Sequence, residues 1–345
     1  MKKSALITLL ITCVLALTGI HVTFAHEVYV LDANEIHQAL QSPIPDFIGA
    51  IKDNGLQFFS WGLGILVLIG ALFFVSVNTF LERLIDPFLN KLKLLAPAVA
   101  QATLGLALLA SGYYHAAYGI ELPFGPIVGG YETVAAAVFM IVGAMLLFGI
   151  LPRIAGLAAT VIFIVLIGIF GLYILNYATY LAEALTVLFF GGGYTLVSVP
   201  LFKKGMSKKI EGHFHKYKFL IIRVFFGSSL IFASLYAKFF HGALALETVS
   251  KYHLTNYFPF DPVFLVLGAM LIEIMLGLFF ILGFEIRFAS IFFLVFLSMS
   301  LVFFGESVWP HIILIGTSSA MFFHGYDRYC LSAKLSKKKN LEPIL

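Results

Sequence analysis

Charged residues are scarce in this sequence. Only 12% of the 345 residues are Asp, Glu, Lys or Arg, while 61% are hydrophobic. A soluble domain carries roughly twice that share of charge, about 25%. Several apolar stretches run for about 20 residues, the length that an α-helix needs to cross the hydrocarbon core of a bilayer. The sequence therefore predicts an all-α polytopic membrane protein in contact with lipid.

Cysteine and cofactor motifs are also largely missing. The two cysteines, Cys13 and Cys330, cannot build a disulfide framework or a cysteine metal site if the first is removed with a signal peptide. There is no phosphate-binding loop, dinucleotide fingerprint, nucleophile elbow or zinc motif. The predicted outer histidines lack the helical spacing of metal ligands, so we predict no metal site. The lysine-rich stretch 202–218 favours anionic lipid over nucleic acid.

The first 25 residues resemble a secretory signal peptide. Lys2 and Lys3 precede an apolar run, and Thr23-Phe24-Ala25 suits signal peptidase. An uncleaved signal anchor is the alternative. Either interpretation leaves residues 26–55 outside the cytoplasm.

Nine membrane spans are predicted after the signal. They cover residues 56–79, 95–116, 133–151, 154–175, 179–199, 217–240, 263–284, 286–304 and 308–325. With residues 26–55 outside, nearly all lysines and arginines of the connections lie in inside loops and in the tail, as the positive-inside rule requires. We therefore predict a multi-pass protein of the cell (inner, cytoplasmic) membrane with a cytoplasmic C-terminus.

Two stretches of the chain read alike. "GILPRIAG" (149–156) and "GFEIRFAS" (283–290) are both predicted cytoplasmic turns, and an offset of 134 relates them. Further upstream, an offset of 122 pairs Gly105 with Gly227. These matches predict two four-helix repeats in the same orientation. The predicted domains are a signal peptide (1–25), an extracytoplasmic segment (26–55), an extra helix (56–80), repeat 1 (95–199), a basic linker (200–218), repeat 2 (219–332) and a tail (333–345).

The second repeat resembles the DoxX family of small four-helix membrane proteins. The likeness rests on "IIRVFFGSSLIFASLYAKFF", on "IEIMLGLFFILGFEIRFASIFF" and on the exit "GYDRYCLS". The family includes the DoxD subunit of thiosulfate:quinone oxidoreductase, so the resemblance implies quinone-linked redox work with a partner protein. The first repeat keeps the glycines but has Ala116 and Phe139 where the second has Lys238 and Glu273. We therefore expect repeat 1 to be structural.

Glu273 is the most informative residue of repeat 2. It lies about ten residues into its span, near the middle of the membrane, where a charge needs a partner or a proton. It either exchanges protons with a quinol or substrate, or it fixes helix packing through a hydrogen bond. Lys238 lies on the outer side, where topology alone does not call for a lysine. Its candidate partners are Glu273, Glu306 and an anionic ligand.

From these observations we predict Glu273, Lys238 and His311 as catalytic residues. Arg223, Tyr236 and Arg287 are candidate cofactor-binding residues, although headgroup contact alone would also account for Arg223. Three functions remain open: a membrane subunit of a quinone-linked redox complex, a non-catalytic scaffold for a partner enzyme, and a small-solute transporter.

Overall fold

The protein folds as a bundle of helices. The computed structural model describes residues 31, 33–77, 88, 91–197, 217–327 and 329–335. No strand forms among these residues. The predicted signal peptide, most of the basic linker and most of the tail lie outside the described residues. We call the end with the 114–123 and 241–261 connections the predicted outer end, and the end with the 148–151 and 283–285 turns the predicted inner end.

Fourteen α-helices are described. They are α1 (Ala33–Leu40), α2 (Phe47–Asp53), α3 (Gly55–Val77), α4 (Ala96–Tyr113), α5 (Phe124–Val128), α6 (Glu132–Leu147), α7 (Pro152–Phe170), α8 (Ala178–Phe190), α9 (Lys218–Ser234), α10 (Gly242–Lys251), α11 (Pro262–Leu282), α12 (Ile286–Phe304), α13 (Ile312–His324) and α14 (Leu331–Leu335). The nine predicted spans correspond to α3, α4, α6, α7, α8, α9, α11, α12 and α13.

Seven helical stretches among the described residues are long and apolar enough to cross a membrane. The count is lower than nine for two reasons. Pro152–Phe190 is one continuous stretch of 39 residues, in which a 3₁₀ segment, Gly171–Tyr177, joins α7 to α8. Helix α13 has only 13 residues, because the start of the predicted span 308–325 forms the 3₁₀ segment Trp309–His311 and Gly325 ends the helix with a positive φ of 69°. The all-α polytopic architecture is confirmed.

Lipid-facing surfaces explain why so many large apolar side chains remain exposed. The apolar part of α3 has no buried residue, and Leu68, Phe74 and Val302 are each more than half exposed. In water such faces would be costly, but in a bilayer they contact acyl chains. Helix α3 reaches the bundle through ring contacts such as Trp61 with Phe260, whose centroids lie 5.9 Å apart.

Close glycine crossings hold the first two helices of each predicted repeat together. A Cβ added to Gly143 would lie 2.7 Å from the carbonyl oxygen of Gly105, and one added to Gly277 would lie 2.6 Å from that of Gly227. Small residues at such crossings let two backbones approach closely, which is how helices associate in lipid. The crossings α4/α6 and α9/α11 thus use the glycines that the offsets 122 and 134 pair.

Packing between the two predicted repeats follows one scheme used twice. The last helix of each repeat packs against the first helix of the other, so that α13 contacts α4 and α8 contacts α9. The two last helices, α8 and α13, also contact each other. This reciprocal arrangement supports the repeat hypothesis, because it is what a pseudo-two-fold axis along the membrane normal would produce.

Candidate functional site

A cavity of about 150 Å³ lies near the predicted outer end, between the two predicted repeats. Helices α8, α9, α11, α12 and α13 contribute to its wall, together with the segments that precede α8 and α13. Its apolar lining includes Leu230, Phe293, Phe296, Leu297, Ile313 and Leu314. The ionisable side chains on its wall include three carboxylates, a lysine and a histidine. An apolar space with a few convergent polar groups is the usual form of a small-molecule site.

Lys238 and Glu273 form an ion pair on this wall. The lysine Nζ donates to Glu273 Oε2 at 2.9 Å, and the two side chains are 19% and 21% exposed. Lys238 belongs to a π-helical segment, Leu235–Phe240, that continues α9. Such segments are rare and occur frequently at functional sites. The extra residue per turn changes the direction in which Lys238 leaves the helix, and Glu273 on α11 meets it.

His311 and Glu306 form a second acid–base pair. The imidazole Nε2 lies 3.3 Å from Glu306 Oε2, and the histidine is fully buried. Because the carbonyl oxygen of Ser307 can only accept, the 3.0 Å contact assigns a proton to Nδ1. The Nε2–Oε2 contact then needs one further proton, carried by either partner. Ser300 Oγ donates to the other carboxylate oxygen at 3.0 Å, which fixes the orientation of Glu306.

Residues of the first predicted repeat form part of the wall. Glu121 accepts hydrogen bonds from the hydroxyl groups of Tyr173, at 3.3 Å, and Tyr177. Tyr180 stacks on buried Tyr118 with ring centroids 4.0 Å apart. In the loop that precedes α5, burial raises the pKa of Tyr118 well above its usual range. The wall of the cavity therefore draws on both predicted repeats.

The structure brings four of the six predicted site residues together. Lys238, Glu273, His311 and Tyr236 all line the cavity. The ring of Tyr236 lies 5.2 Å from that of Tyr173 and 4.4 Å from the imidazole of His241, measured between centroids.

The two predicted arginines lie at the predicted inner end, away from this cavity. Arg223 is 1% exposed and donates from Nη1 to Cys330 Sγ at 2.9 Å, so it does not reach headgroups as a surface arginine would. Arg287 Nε donates to the carbonyl oxygen of Phe322 at 3.4 Å, and its guanidinium lies over the ring of Tyr326. Both arginines hold the connection after α13 against the bundle. A role in binding the same ligand as Glu273 does not fit these positions.

One functional candidate was missed in the sequence. Glu183, on α8, is fully buried, and its Oε1 accepts a hydrogen bond from Thr317 Oγ1 at 2.5 Å. The signal was available, because Glu183 is the lone charged residue of the apolar helix "ATYLAEALTVLFF". The offset of 134 that relates the repeats also pairs positions 183 and 317. Among the described residues, no group of three His, Cys, Asp or Glu side chains could hold a metal ion.

Residues 219–306 match the DoxX family model. The match covers α9 to α12 with the Lys238–Glu273 pair, and it ends at Glu306. The chain is therefore an integral membrane protein with a DoxX-family domain in its second half. The comparisons with curated proteins and with solved structures returned no match.

Proposed function

We propose that this chain is the quinone-binding membrane subunit of a redox complex and that the cavity is its quinone site. The observation that carries the proposal is a largely apolar space with two acid–base pairs on its wall. A cavity of about 150 Å³ in a protein interior holds benzene. A single quinone ring therefore fits, while the isoprenoid tail would have to leave toward lipid.

The lining residues suit the two parts of a quinone ring. Phe293, Phe296 and Leu297 offer apolar surface to its faces. Lys238 and His311 carry N–H groups that can donate to carbonyl oxygens. A bound quinone supplies two-electron chemistry coupled to two protons. Glu273 and Glu306 hold the lysine and the histidine, and each pair can give up or take back a proton at the cavity.

Electrons have to come from a partner. The sequence carries no motif for an electron-carrying cofactor, so we infer a soluble or membrane redox protein as the partner. A single quinone site in a chain of helices would otherwise bind its ligand without turning it over. On this proposal, the chain is one subunit of a redox complex and not an independent oxidoreductase.

The location of the site follows from the predicted topology. We propose that the signal segment is removed, that the protein resides in the cell membrane and that its C-terminus is cytoplasmic. The cavity then faces the extracytoplasmic half of the bilayer, and the redox partner would approach from that side or within the membrane.

Photo-crosslinking with an azido-quinone in native membranes tests the proposal. We expect labelled peptides from the 219–306 region, and a loss of most of this labelling in Glu273→Gln. The matched control is Phe139→Leu, since Phe139 occupies the position in repeat 1 that corresponds to Glu273 and packs in an aromatic core with Tyr118. Labelling confined to other proteins, or labelling that Glu273→Gln leaves unchanged, would favour the non-catalytic scaffold.

A further inference from the structure

The buried carboxyl group of Glu183 is only half satisfied. Its Oε1 lies 2.5 Å from Thr317 Oγ1, whose single hydrogen can go either to Glu183 or to the carbonyl oxygen of Ile313 at 2.7 Å. Its Oε2 is buried without a hydrogen-bond partner in the part of the chain that the structure describes. No basic side chain among those residues forms an ion pair with it. An ionised carboxylate in the hydrocarbon region is very costly without a compensating charge. A proton or a cation therefore has to accompany Glu183.

Further unpartnered polar atoms lead from Glu183 to the cavity. Asn176 Oδ1, Thr179 Oγ1 and Tyr180 Oη are also buried without a partner among the described residues, and all three residues line the cavity. Residues three and four positions apart share one face of a helix, so Glu183 lies one turn beyond Thr179 and Tyr180 on that face. The polar face of α8, together with Asn176 in the 3₁₀ segment before it, thus runs from the cavity wall into the centre of the bundle.

The second repeat shows that packing alone does not require this polar face. The offset of 134 pairs Asn176, Thr179 and Tyr180 with Pro310, Ile313 and Leu314, which line the same cavity from the opposite side. These equivalents carry no polar side chain. Since a helix with the same role in the bundle fills these positions with apolar groups, the polar face of α8 points to a function.

We propose that Glu183 is a proton-holding carboxyl group that exchanges its proton with the cavity along the Asn176–Thr179–Tyr180 face. The proposal rests on the quinone function in one respect, because that function identifies the proton acceptor in the cavity. In each exchange, the O–H bond of the acid breaks and its electron pair stays on Glu183, while an O–H bond forms at the acceptor oxygen. The Thr317 hydroxyl group stabilises the resulting carboxylate until a proton returns by the same route.

Infrared difference spectroscopy of the full-length protein in lipid vesicles tests, without any quinone, whether Glu183 holds an exchangeable proton. Exchange from H₂O to D₂O should shift a carbonyl stretching band of a protonated carboxylic acid, and Glu183→Gln should remove that band. Thr317→Val keeps the carboxyl group and removes its hydrogen bond, so the band should move to higher frequency. This variant also guards against a folding defect in Glu183→Gln.

Exchange kinetics test the connection with the cavity. Tyr180→Phe should slow deuterium exchange at Glu183 by roughly tenfold or more, as expected when a proton-transfer group is lost. Tyr252→Phe, which removes a hydroxyl group at the predicted outer end but outside the cavity, should leave the rate unchanged. Equal rates in Tyr180→Phe and the unmodified protein would overturn the proposed route.

Two outcomes separate proton holding from the competing roles of Glu183. A carboxylate band at Glu183 that responds to Na⁺ instead of D₂O would indicate a cation site and overturn the proposal. Normal exchange at Glu183 in a protein that binds no quinone analogue would support the proton-holding role and refute only the quinone function.

Discussion

The two ends of the helical bundle differ in how faithfully they are repeated. At the predicted inner end, the turns 149–151 and 283–285 begin with glycines at φ values of 65° and 66° and end with left-handed residues, Leu151 and Glu285. Helices α8 and α13 stop at glycines that also have positive φ. At the predicted outer end, the equivalent positions Ala116 and Lys238 differ in charge, and the cavity lining is unlike on its two sides.

The difference shows which residues the fold needs and which the site needs. The first position of each inner turn and each close helix crossing carry glycine in both predicted repeats, where a side chain would strain the backbone or meet the facing helix. Charges at the outer end have no such constraint. One repeat can carry Lys238 and Glu273, and the other can carry Glu183, without changing the frame. The residues that recur at the inner end are therefore those that the fold requires, and the residues that differ at the outer end are the candidates for chemistry.

The largest expected effect concerns which end faces the cytoplasm. Reporter fusions in the 118–132 and 241–262 loops should give an extracytoplasmic signal, and fusions in the 202–218 linker or the tail should give a cytoplasmic one. The distribution of lysine and arginine provides the physical reason. An extracytoplasmic signal from the linker would contradict both the nine-span topology and the parallel orientation of the repeats.

Substitution of the crossing glycines should destabilise both repeats to a similar extent. Gly277→Ala and Gly143→Ala each place a Cβ within 2.7 Å of a backbone oxygen of the facing helix. Such overpacking costs about 1–3 kcal/mol. Thermal unfolding in mild detergent measures the effect, and Gly268→Ala on the same helix as Gly277 is the control, because no atom lies within 4 Å of its added Cβ. A loss confined to one repeat would contradict the shared frame.

Substitution of the outer charges should separate the repeats functionally. On the proposed function, Lys238→Ala removes a charged donor to the quinone carbonyl oxygen, and Glu273→Gln removes the charge that holds this lysine in place. A hydrogen bond to a charged group contributes about 1.5–3 kcal/mol, so affinity for a quinone analogue should fall roughly ten- to a hundredfold. Ala116→Ser and Phe139→Leu at the equivalent positions should change thermal stability more than affinity. Equilibrium binding and thermal unfolding, measured on the same four variants, separate a loss of affinity from a loss of stability. Equal losses of affinity in both pairs would remove the special role of the second repeat.

The smallest expected effect lies in the connection after α13. Burial raises the pKa of the Cys330 thiol to about 12 from an ordinary value of 9. The neutral thiol is favoured in the folded protein, so its contribution to stability is complete below pH 9 and is lost as the pH rises toward 12. Unfolding from pH 8 to 11 should therefore show a steeper loss for the unmodified protein than for Cys330→Ala. The first repeat has exposed Leu196 at the equivalent position and no such dependence.

Much of the frame was predictable from the sequence. Apolar length located each of the nine helices, and the two similar stretches 149–156 and 283–290 located the inner turns, whereas the close crossings at the paired glycines emerged only from the structure. The predicted ends were less accurate, since 179–199 contains a helix that stops at Phe190. Apolar composition does not mark that stop. The positive φ of Gly191 does, but a glycine in an apolar run can equally lie at a helix crossing, as Gly105 does.

Four residues of the cavity wall were predicted as site residues from the sequence, but their assembly with the first predicted repeat was not. Glu273 and Lys238 were identified because charges are costly in an apolar span, and their pairing was among the stated alternatives. The partner of His311 and the contribution of α8 were not, because the sequence does not tell which helices of two repeats face each other. That contact between repeats is what brings Glu183 to Thr317.

The short central helices have a consequence for the backbone beside the cavity. Helices α8 and α13 each contain 13 residues and rise about 20 Å, against a hydrocarbon core of about 30 Å. The 3₁₀ segments that precede them, Gly171–Tyr177 and Trp309–His311, both contribute to the cavity wall and are expected to lie at membrane depth. Non-helical backbone is tolerated at that depth where protein buries it or where it lines a cavity, so closing the cavity with larger side chains would also disturb the two segments that connect the last helices to the outer surface.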